Sequence, residues 1–237
     1  MALTGISNAL AADVVTVTPS NPQGWSTADT RPGGTVSFVS DPASPYPAGA
    51  LQLTTDATAT AKAQYLHAAS TPLASVHELS YYTRQVSAPL FPGAAPSYQV
   101  ITFLLGTTGF ATLVFEPYQN PLEGLVVPNV WQRWDVAAGL FWSTRTVTCS
   151  NGVIAGTPGG PASYTLAQIQ AACPSAAVIG FGVNIGSNNP LYTVRTDGFD
   201  FNGTIYDFQL DEDQGDDGDQ GGGDHGGHQG EGGDNQH

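Results

Sequence analysis

Aromatic and charged residues alternate in the segment VWQRWDV (130–136). Adjacent residues of a β-strand point to opposite faces, so an extended segment places Trp131, Arg133 and Asp135 on one face. Trp134 then points the other way, into the core. An indole ring beside a cation and a carboxylate suits sugar binding, because the C–H face of a sugar stacks on the ring while charged groups hydrogen-bond its hydroxyls.

Glu116 and Tyr118 follow another predicted strand, ATLVF, which we expect to lie next to that segment. They add a carboxylate and a second ring to the predicted ligand-binding surface. The alternative is structural: a loop covers Trp131, and Arg133 with Asp135 forms an exposed ion pair worth less than about 1 kcal/mol.

The patterns that indicate catalysis are weaker than those that indicate ligand binding. Glycoside hydrolysis uses two carboxyl groups about 5–10 Å apart, and the sequence lacks the laminarinase-type strand with acids at alternate positions. The acids on or next to strong strands are Glu116, Asp135, Asp197 and Asp200. The chain has no G-x-S-x-G, phosphate-loop or dinucleotide motif. We therefore assign no catalytic residue.

Two regions carry metal-binding side chains. Asp224, His225 and His228 have a spacing that can chelate Ni²⁺, Cu²⁺ or Zn²⁺. A structural Ca²⁺ between terminal strands, bound by carboxylates and backbone carbonyls, is a second prediction. The aspartates available for it are Asp13, Asp41, Asp197 and Asp207.

Cys149 and Cys173 are the only cysteines. A disulfide between them closes a 25-residue loop and stabilises the fold by about 3 kcal/mol on the chain-entropy model. Two buried free thiols are the alternative. A disulfide agrees with export, since such bonds persist in oxidising compartments.

Charge is scarce and unevenly spread. Charged residues are 11% of the 237 residues, and 6 Lys and Arg stand against 20 Asp and Glu, for a net charge of −14. Nine of those acids and no base lie in residues 210–237, so residues 1–209 have a net charge of −5. So few cations argue against nucleic acid or anionic lipid as a partner. No run approaches 18 apolar residues, so we predict no transmembrane helix.

Composition divides the chain into three parts. Residues 210–237 hold one apolar residue, which predicts a disordered, acidic Gly/His-rich tail. Residues 1–12 (MALTGISNALAA) carry a small-x-small pattern typical of signal peptidase sites, and we interpret them as a signal-peptide remnant or else a flexible N-terminus. Residues 13–209 are long enough to form one domain with a sizeable core.

That domain is rich in strand patterns, in which β-branched and aromatic residues recur between Gly, Pro, Asn and Ser clusters. The predicted strands are Val14–Thr18, Thr35–Val39, Ala50–Thr54, Ala61–Leu66, Glu78–Arg84, Tyr98–Leu105, Ala111–Phe115, Val130–Val136, Leu140–Arg145, Val178–Gly182, Thr193–Phe201 and Thr204–Phe208. Only Tyr164–Ala172, capped by Ser163 or Thr165, predicts a helix. The pattern indicates an all-β, two-sheet antiparallel sandwich of the jelly-roll or concanavalin-like lectin type.

The last two predicted strands show how the core forms. Phe199 and Phe201 lie two residues apart and share one face. The turn Asn202-Gly203 is a strong hairpin signal, and such a closing hairpin usually lies beside the N-terminal strand. Trp25 and Trp142 are predicted core residues.

Five blocks keep a common order along the domain: VVTVTPSNPQGW (14–25), ATLVFEPYQN (111–120), VWQRWD (130–135), GLFWST (139–144) and NGTIYDFQ (202–209). Together they resemble a group of secreted β-sandwich proteins found mainly in actinobacteria and other soil or aquatic bacteria. The resemblance covers most of residues 13–209 and implies an extracellular jelly-roll or lectin-like fold. It implies no activity, because the group has no established function.

We predict a secreted, non-catalytic, lectin-like binding module for a polysaccharide or cell-surface glycan. The first alternative is an extracellular structural or adhesive protein that self-assembles as a homo-oligomer. The second is a polysaccharide hydrolase or lyase.

Overall fold

The computed structural model describes residues 13–103, 109–120 and 124–211. The predictions for residues 1–12, and for Asp224, His225 and His228 in the tail, lie outside the described residues. The strands are β1 (Asp13–Val17), β2 (Trp25–Ser26), β3 (Gly34–Ser40), β4 (Gly49–Thr55), β5 (Ala63–Pro72), β6 (Leu79–Ser87), β7 (Ser97–Phe103), β8 (Phe110–Phe115), β9 (Gln132–Asp135), β10 (Leu140–Ser143), β11 (Val147–Cys149), β12 (Gly152–Ile154), β13 (Tyr164–Thr165), β14 (Ala177–Ile185), β15 (Thr193–Phe201) and β16 (Thr204–Phe208). The α-helix of the described chain is α1 (Leu166–Ala172).

Two seven-stranded sheets contain nearly all of these strands. In the first sheet, β15 pairs with β6 along one edge, and with β4 and then β16 along the other. Beyond these, β9 pairs with β6, β3 with β4, and β1 with β16. The second sheet has the order β13-β10-β8-β7-β14-β5-β2. The all-β sandwich predicted from the sequence is confirmed, with β11 and β12 as a small additional pair.

The closing hairpin forms as its sequence predicts. Asn202 and Gly203 both have positive φ, 58° and 89°, which is the backbone that a two-residue turn of this type needs. The N-terminal strand does pair with the last strand, with Val15 opposite Tyr206. That pairing is parallel, whereas the other ladders of the two sheets are antiparallel, so the antiparallel prediction is wrong at this edge.

Aromatic side chains from both sheets meet in the core. The ring of Tyr98 in the second sheet stacks on Phe199 in the first, with centroids 4.2 Å apart. Phe181 and Phe201 stack across the same interface at 4.0 Å. Trp134 is fully buried, as predicted, and its indole N–H donates to Thr83 Oγ1 at 2.8 Å.

The helix and the disulfide fasten the segment between β10 and β14. Thr165 caps α1: its hydroxyl accepts from the backbone N–H of Gln168, whose side chain accepts from the backbone N–H of Thr165. Cys149 and Cys173 form the predicted disulfide, which joins β11 to the end of α1. No helix in the described part of the chain is long and apolar enough to cross a membrane.

We expect removal of this disulfide to lower the free energy of unfolding by about 3 kcal/mol, because the unfolded chain gains the freedom of the released loop. The variant is Cys149→Ala with Cys173→Ala, and urea unfolding measures the difference. Wild-type protein treated with a reductant is the control and should lose a similar amount. A double variant as stable as the oxidised protein would contradict the prediction.

Candidate functional site

The outer face of the second sheet carries a row of side chains that crosses three strands. The strand registers place Trp142 of β10 opposite Val114 of β8, and Val114 opposite Gln99 of β7. In a second row, Ser97 of β7 lies opposite Asn184 of β14. An aromatic ring, an aliphatic side chain and amide groups therefore share one surface.

A cleft of about 850 Å³, which we name the main cleft, lies over this surface. Segments 90–95 and 184–189 form two of its walls, and Tyr118 with Pro158 and Gly159 lines another part. The side chains of Phe91 and Tyr118 are about half exposed, at 51% and 52%. The volume falls within the usual range for small-molecule sites.

Glu116 lies in the main cleft, directly after β8, and fixes the ring of Trp142. Its Oε2 accepts from the indole N–H of Trp142 at 2.8 Å, from Gln119 Nε2 at 2.6 Å and from the hydroxyl of Tyr118 at 3.2 Å. Burial raises the pKa of Glu116, and these hydrogen bonds partly offset the rise. The carboxyl group thus orients two of the rings that line the cleft.

Gln119 connects this corner of the cleft to the loop that leads into β13. Its Nε2 donates to the carbonyl of Gly159 at 3.2 Å, and its Oε1 accepts from the backbone N–H of Ala162 at 2.7 Å. A side chain at Gly160 would collide with this amide, because its Cβ would lie 2.3 Å from Gln119 Oε1. The short 3-10 turn Pro117–Gln119 is therefore held against the loop.

The predicted ligand-binding residues divide between two sites. β8 belongs to the second sheet and β9 to the first, so the expectation that these strands are neighbours is wrong. Glu116 and Tyr118 line the main cleft, whereas Arg133 and Asp135 are exposed in a smaller cleft of about 440 Å³ beside His77 and Glu78.

Trp131 lies at the start of β9 on the first sheet. Its ring is half-buried, and its indole N–H is buried without a hydrogen-bond partner. It does not line either cleft. Trp131 therefore precedes the β9 residues Arg133 and Asp135 at the first sheet, whereas Glu116 follows β8 of the second sheet.

Trp142 lines the main cleft, whereas the sequence predicted that it lies in the core. Its neighbour Phe141 is fully buried, and because strand residues alternate, Trp142 must point to the opposite face. The adjacent pair of aromatic residues was a usable signal, since only one of them can face a one-sided core. Gln99 and Asn184 offered no comparable signal, because polar residues are common on outer faces of sheets.

The acidic residues that sequence analysis considered for metal or catalysis are occupied in other ways. Asp41 bridges two strands of the first sheet, with Oδ2 at 2.8 Å from Arg195 and 3.1 Å from Arg84. Burial raises the pKa of Asp41, but the arginines outweigh it and hold the pKa below its usual value. No group of three His, Cys, Asp or Glu residues is close enough to hold a metal ion within the described ranges. Calcium binding stays a prediction.

Asp197 and Asp200 are almost completely buried in β15, at 0% and 3% exposure. Burial raises the pKa of Asp197 to about 7 and that of Asp200 to about 6. Asp197 accepts hydrogen bonds from the Ser44 hydroxyl and from the backbone N–H of Phe208. These carboxyl groups therefore hold the closing hairpin and the segment around Ser44 against the first sheet.

We expect the stability of the fold to fall as pH rises from about 4 to about 7. An unfolded aspartate loses its proton near its ordinary pKa of about 3.9, whereas folded Asp197 keeps its proton up to about pH 7. The stabilisation from Asp197 is complete below its pKa in the unfolded chain. It is lost as the pH rises to its pKa in the folded protein, and the loss is up to about 4 kcal/mol. Urea unfolding at pH 4 and pH 8 measures this, and Asp197→Asn should reduce the difference while the smaller contribution of Asp200 remains. Equal pH dependence in the two proteins would contradict it.

The fold and the main cleft together define a two-sheet sandwich with an aromatic and amide-lined cleft on the outer face of one sheet. The sequence matches no protein-family model and none of the curated proteins. Among solved structures it is similar to a family 11 carbohydrate-binding module from Clostridium thermocellum in complex with a β-1,3-1,4-mixed-linked tetrasaccharide. The identity is 10% and the TM-score 0.44, over 78% of this chain and 91% of that chain.

Two further solved structures show the same level of similarity. One is an arabinose-bound α-L-arabinofuranosidase, with 11% identity and a TM-score of 0.42, over 79% of this chain and 24% of that chain. The other is a carbohydrate esterase from the Shiga toxin-encoding bacteriophage phi24B, with 13% identity and a TM-score of 0.39, over 73% of this chain and 87% of that chain.

Proposed function

We propose that the protein is a carbohydrate-binding module that holds a polysaccharide chain in the main cleft. The observation that carries the proposal is the position of Trp142, whose ring lines the cleft and is oriented by the 2.8 Å hydrogen bond to Glu116. A fixed aromatic face can stack on the C–H face of a sugar. Amide groups further along the cleft floor, from Gln99 and Asn184, can donate to and accept from sugar hydroxyls, and Asn184 Nδ2 also donates to Gln64 Oε1 at 3.0 Å.

The shape of the cleft suits a chain better than a single sugar. Its floor crosses four strands, β10, β8, β7 and β14. Three inter-strand spacings of about 4.8 Å make a floor about 14 Å across, which is long enough for several sugar rings in a row. Exposed rings on the walls, Phe91 and Tyr118, extend the stacking surface beyond Trp142.

We propose binding without cleavage as the activity. Glu116 is the one carboxyl side chain among the described residues that line the main cleft, whereas glycoside hydrolysis uses two. We further propose that the protein is secreted. The Cys149–Cys173 disulfide supports this, because disulfides persist in oxidising compartments.

The test is a pull-down of the full chain on insoluble cellulose, xylan, mannan, chitin and curdlan, with and without Ca²⁺. Both bound protein and released sugar are scored. We expect binding to at least one polymer and no released sugar. Sugar release would replace the proposal with a hydrolase or lyase, and absence of binding to every polymer would overturn it. Binding only with Ca²⁺ would support the predicted structural calcium.

A further inference from the structure

Among the described residues, no side chain donates to one of the two carboxylate oxygens of Glu116. All three of its side-chain hydrogen bonds reach Oε2, from Trp142, Tyr118 and Gln119. Its other oxygen, Oε1, accepts none of the side-chain hydrogen bonds. Since Glu116 lines the main cleft, Oε1 is the acceptor through which the residue can act on a ligand.

The charge of Glu116 is not balanced within the cleft. None of the described residues that line it is a lysine or an arginine. One cation reaches the rim of the cleft, where Arg31 donates to the hydroxyl of Ser187 at 3.0 Å. The arginines that pair with Asp41 lie on the other sheet. The donors around Glu116 are therefore neutral, and its negative charge acts on whatever occupies the cleft.

We propose that Glu116 is a charge filter that makes the main cleft selective for polysaccharide chains without carboxylate or sulfate groups. This inference rests on the proposed function and names the ligand class of that same site. A hydroxyl of a neutral sugar can donate to Oε1. A uronate or sulfate group in the same place would bring two negative charges together in a partly desolvated site, with no cation lining the cleft to offset them.

The experiment compares polymers that share a backbone and differ in charge. The probes are the hydroxyethyl and carboxymethyl derivatives of cellulose, starch and galactomannan, measured by affinity electrophoresis with the full chain at pH 7.5. Both substituents add similar bulk, so charge is the main difference. We expect the carboxymethyl form of the bound backbone to bind at least about tenfold more weakly than its hydroxyethyl form.

Glu116→Gln is the deciding variant, because glutamine keeps the size and an acceptor oxygen but removes the charge. Because Glu116 also orients Trp142, we expect this variant to weaken binding of both forms, and the deciding quantity is the ratio of the two affinities, which should fall to about threefold or less. The matched control is Glu78→Gln, an exposed glutamate outside the main cleft, which removes the same charge from the protein as a whole. It should discriminate like wild type.

Three results would overturn the inference. If the wild type binds both forms equally, the charge filter fails while the proposed function stands. If Glu116→Gln keeps the wild-type ratio of affinities for the two forms, or binds neither form, Glu116 acts by positioning Trp142 and not by its charge. If no derivative of any backbone binds, this inference fails; the proposed function fails with it only if the pull-down on the insoluble polymers also finds no binding.

Discussion

Replacing Trp142 with alanine is expected to weaken polysaccharide binding by about 30-fold or more while the fold is retained. Buried or half-buried tryptophans at the centre of a binding surface commonly contribute about 2 kcal/mol or more, and 2 kcal/mol corresponds to about 30-fold in affinity. Trp142 qualifies because it is half-buried, lines the main cleft, is held by Glu116, and begins the row that continues with Val114 and Gln99.

Two further variants, Trp142→Phe and Phe110→Ala, show whether the loss of binding is specific to the ring of Trp142. Trp142→Phe keeps an aromatic face but loses the hydrogen bond to Glu116, so we expect an affinity between those of the wild type and Trp142→Ala. Phe110→Ala is the control, since Phe110 is an exposed ring that does not line the cleft. Circular dichroism and urea unfolding of each variant show that the fold is intact.

Comparing Trp131→Ala with Trp142→Ala tests which of the two sheets carries the polysaccharide-binding site. The main cleft predicts that Trp142→Ala loses binding and that Trp131→Ala has the smaller effect. If Trp131→Ala removes binding and Trp142→Ala does not, the ligand occupies the surface of Trp131, Arg133 and Asp135 on the first sheet. That result would restore the site predicted from the sequence and refute the assignment to the main cleft.

Replacing Trp25 with alanine is expected to lower the free energy of unfolding by about 3–5 kcal/mol, the range for large aromatic side chains in cores. Trp25 is 3% exposed. Its ring packs at centroid distances of 5.2–5.6 Å against rings from both sheets, namely Tyr65, His67, Phe181, Phe199, Tyr206 and Phe208. The alanine variant removes the ring that joins the two sheets at this end of the sandwich.

Urea unfolding measures the effect, and Trp142→Ala is the internal comparison. Both variants delete an indole ring, but Trp142 is half-buried on an outer face, where substitutions usually cost much less. We expect the Trp25 variant to be the less stable of the two by at least about 2 kcal/mol. Equal losses would mean that Trp25 does not have the central packing role described for it.

Local pattern determined the elements of this protein. The twelve strands predicted from alternation and turn residues are all present, although residues 104–105 of the predicted Tyr98–Leu105 lie outside the described residues. Thr193–Phe201 and Thr204–Phe208 match the observed bounds of β15 and β16. The short strands β2, β11 and β12 were not predicted, because two or three residues are too few to show a period of two. Tyr164 and Thr165, predicted as the start of the helix, form β13 instead, and the helix begins at Leu166. Local pattern also predicted the helix, its Thr165 cap and the disulfide.

Tertiary structure alone decided which residues form the candidate site. The period of two tells which residues share a face of one strand, so Trp134 was placed in the core and Arg133 with Asp135 outside it. It does not tell which strands pair, because pairing joins segments far apart in sequence. Sixteen residues separate the end of β8 at Phe115 from the start of β9 at Gln132. These two strands lie in different sheets, whereas β8 pairs with β10. That non-local pairing separated Glu116 from Arg133 and brought it to Trp142.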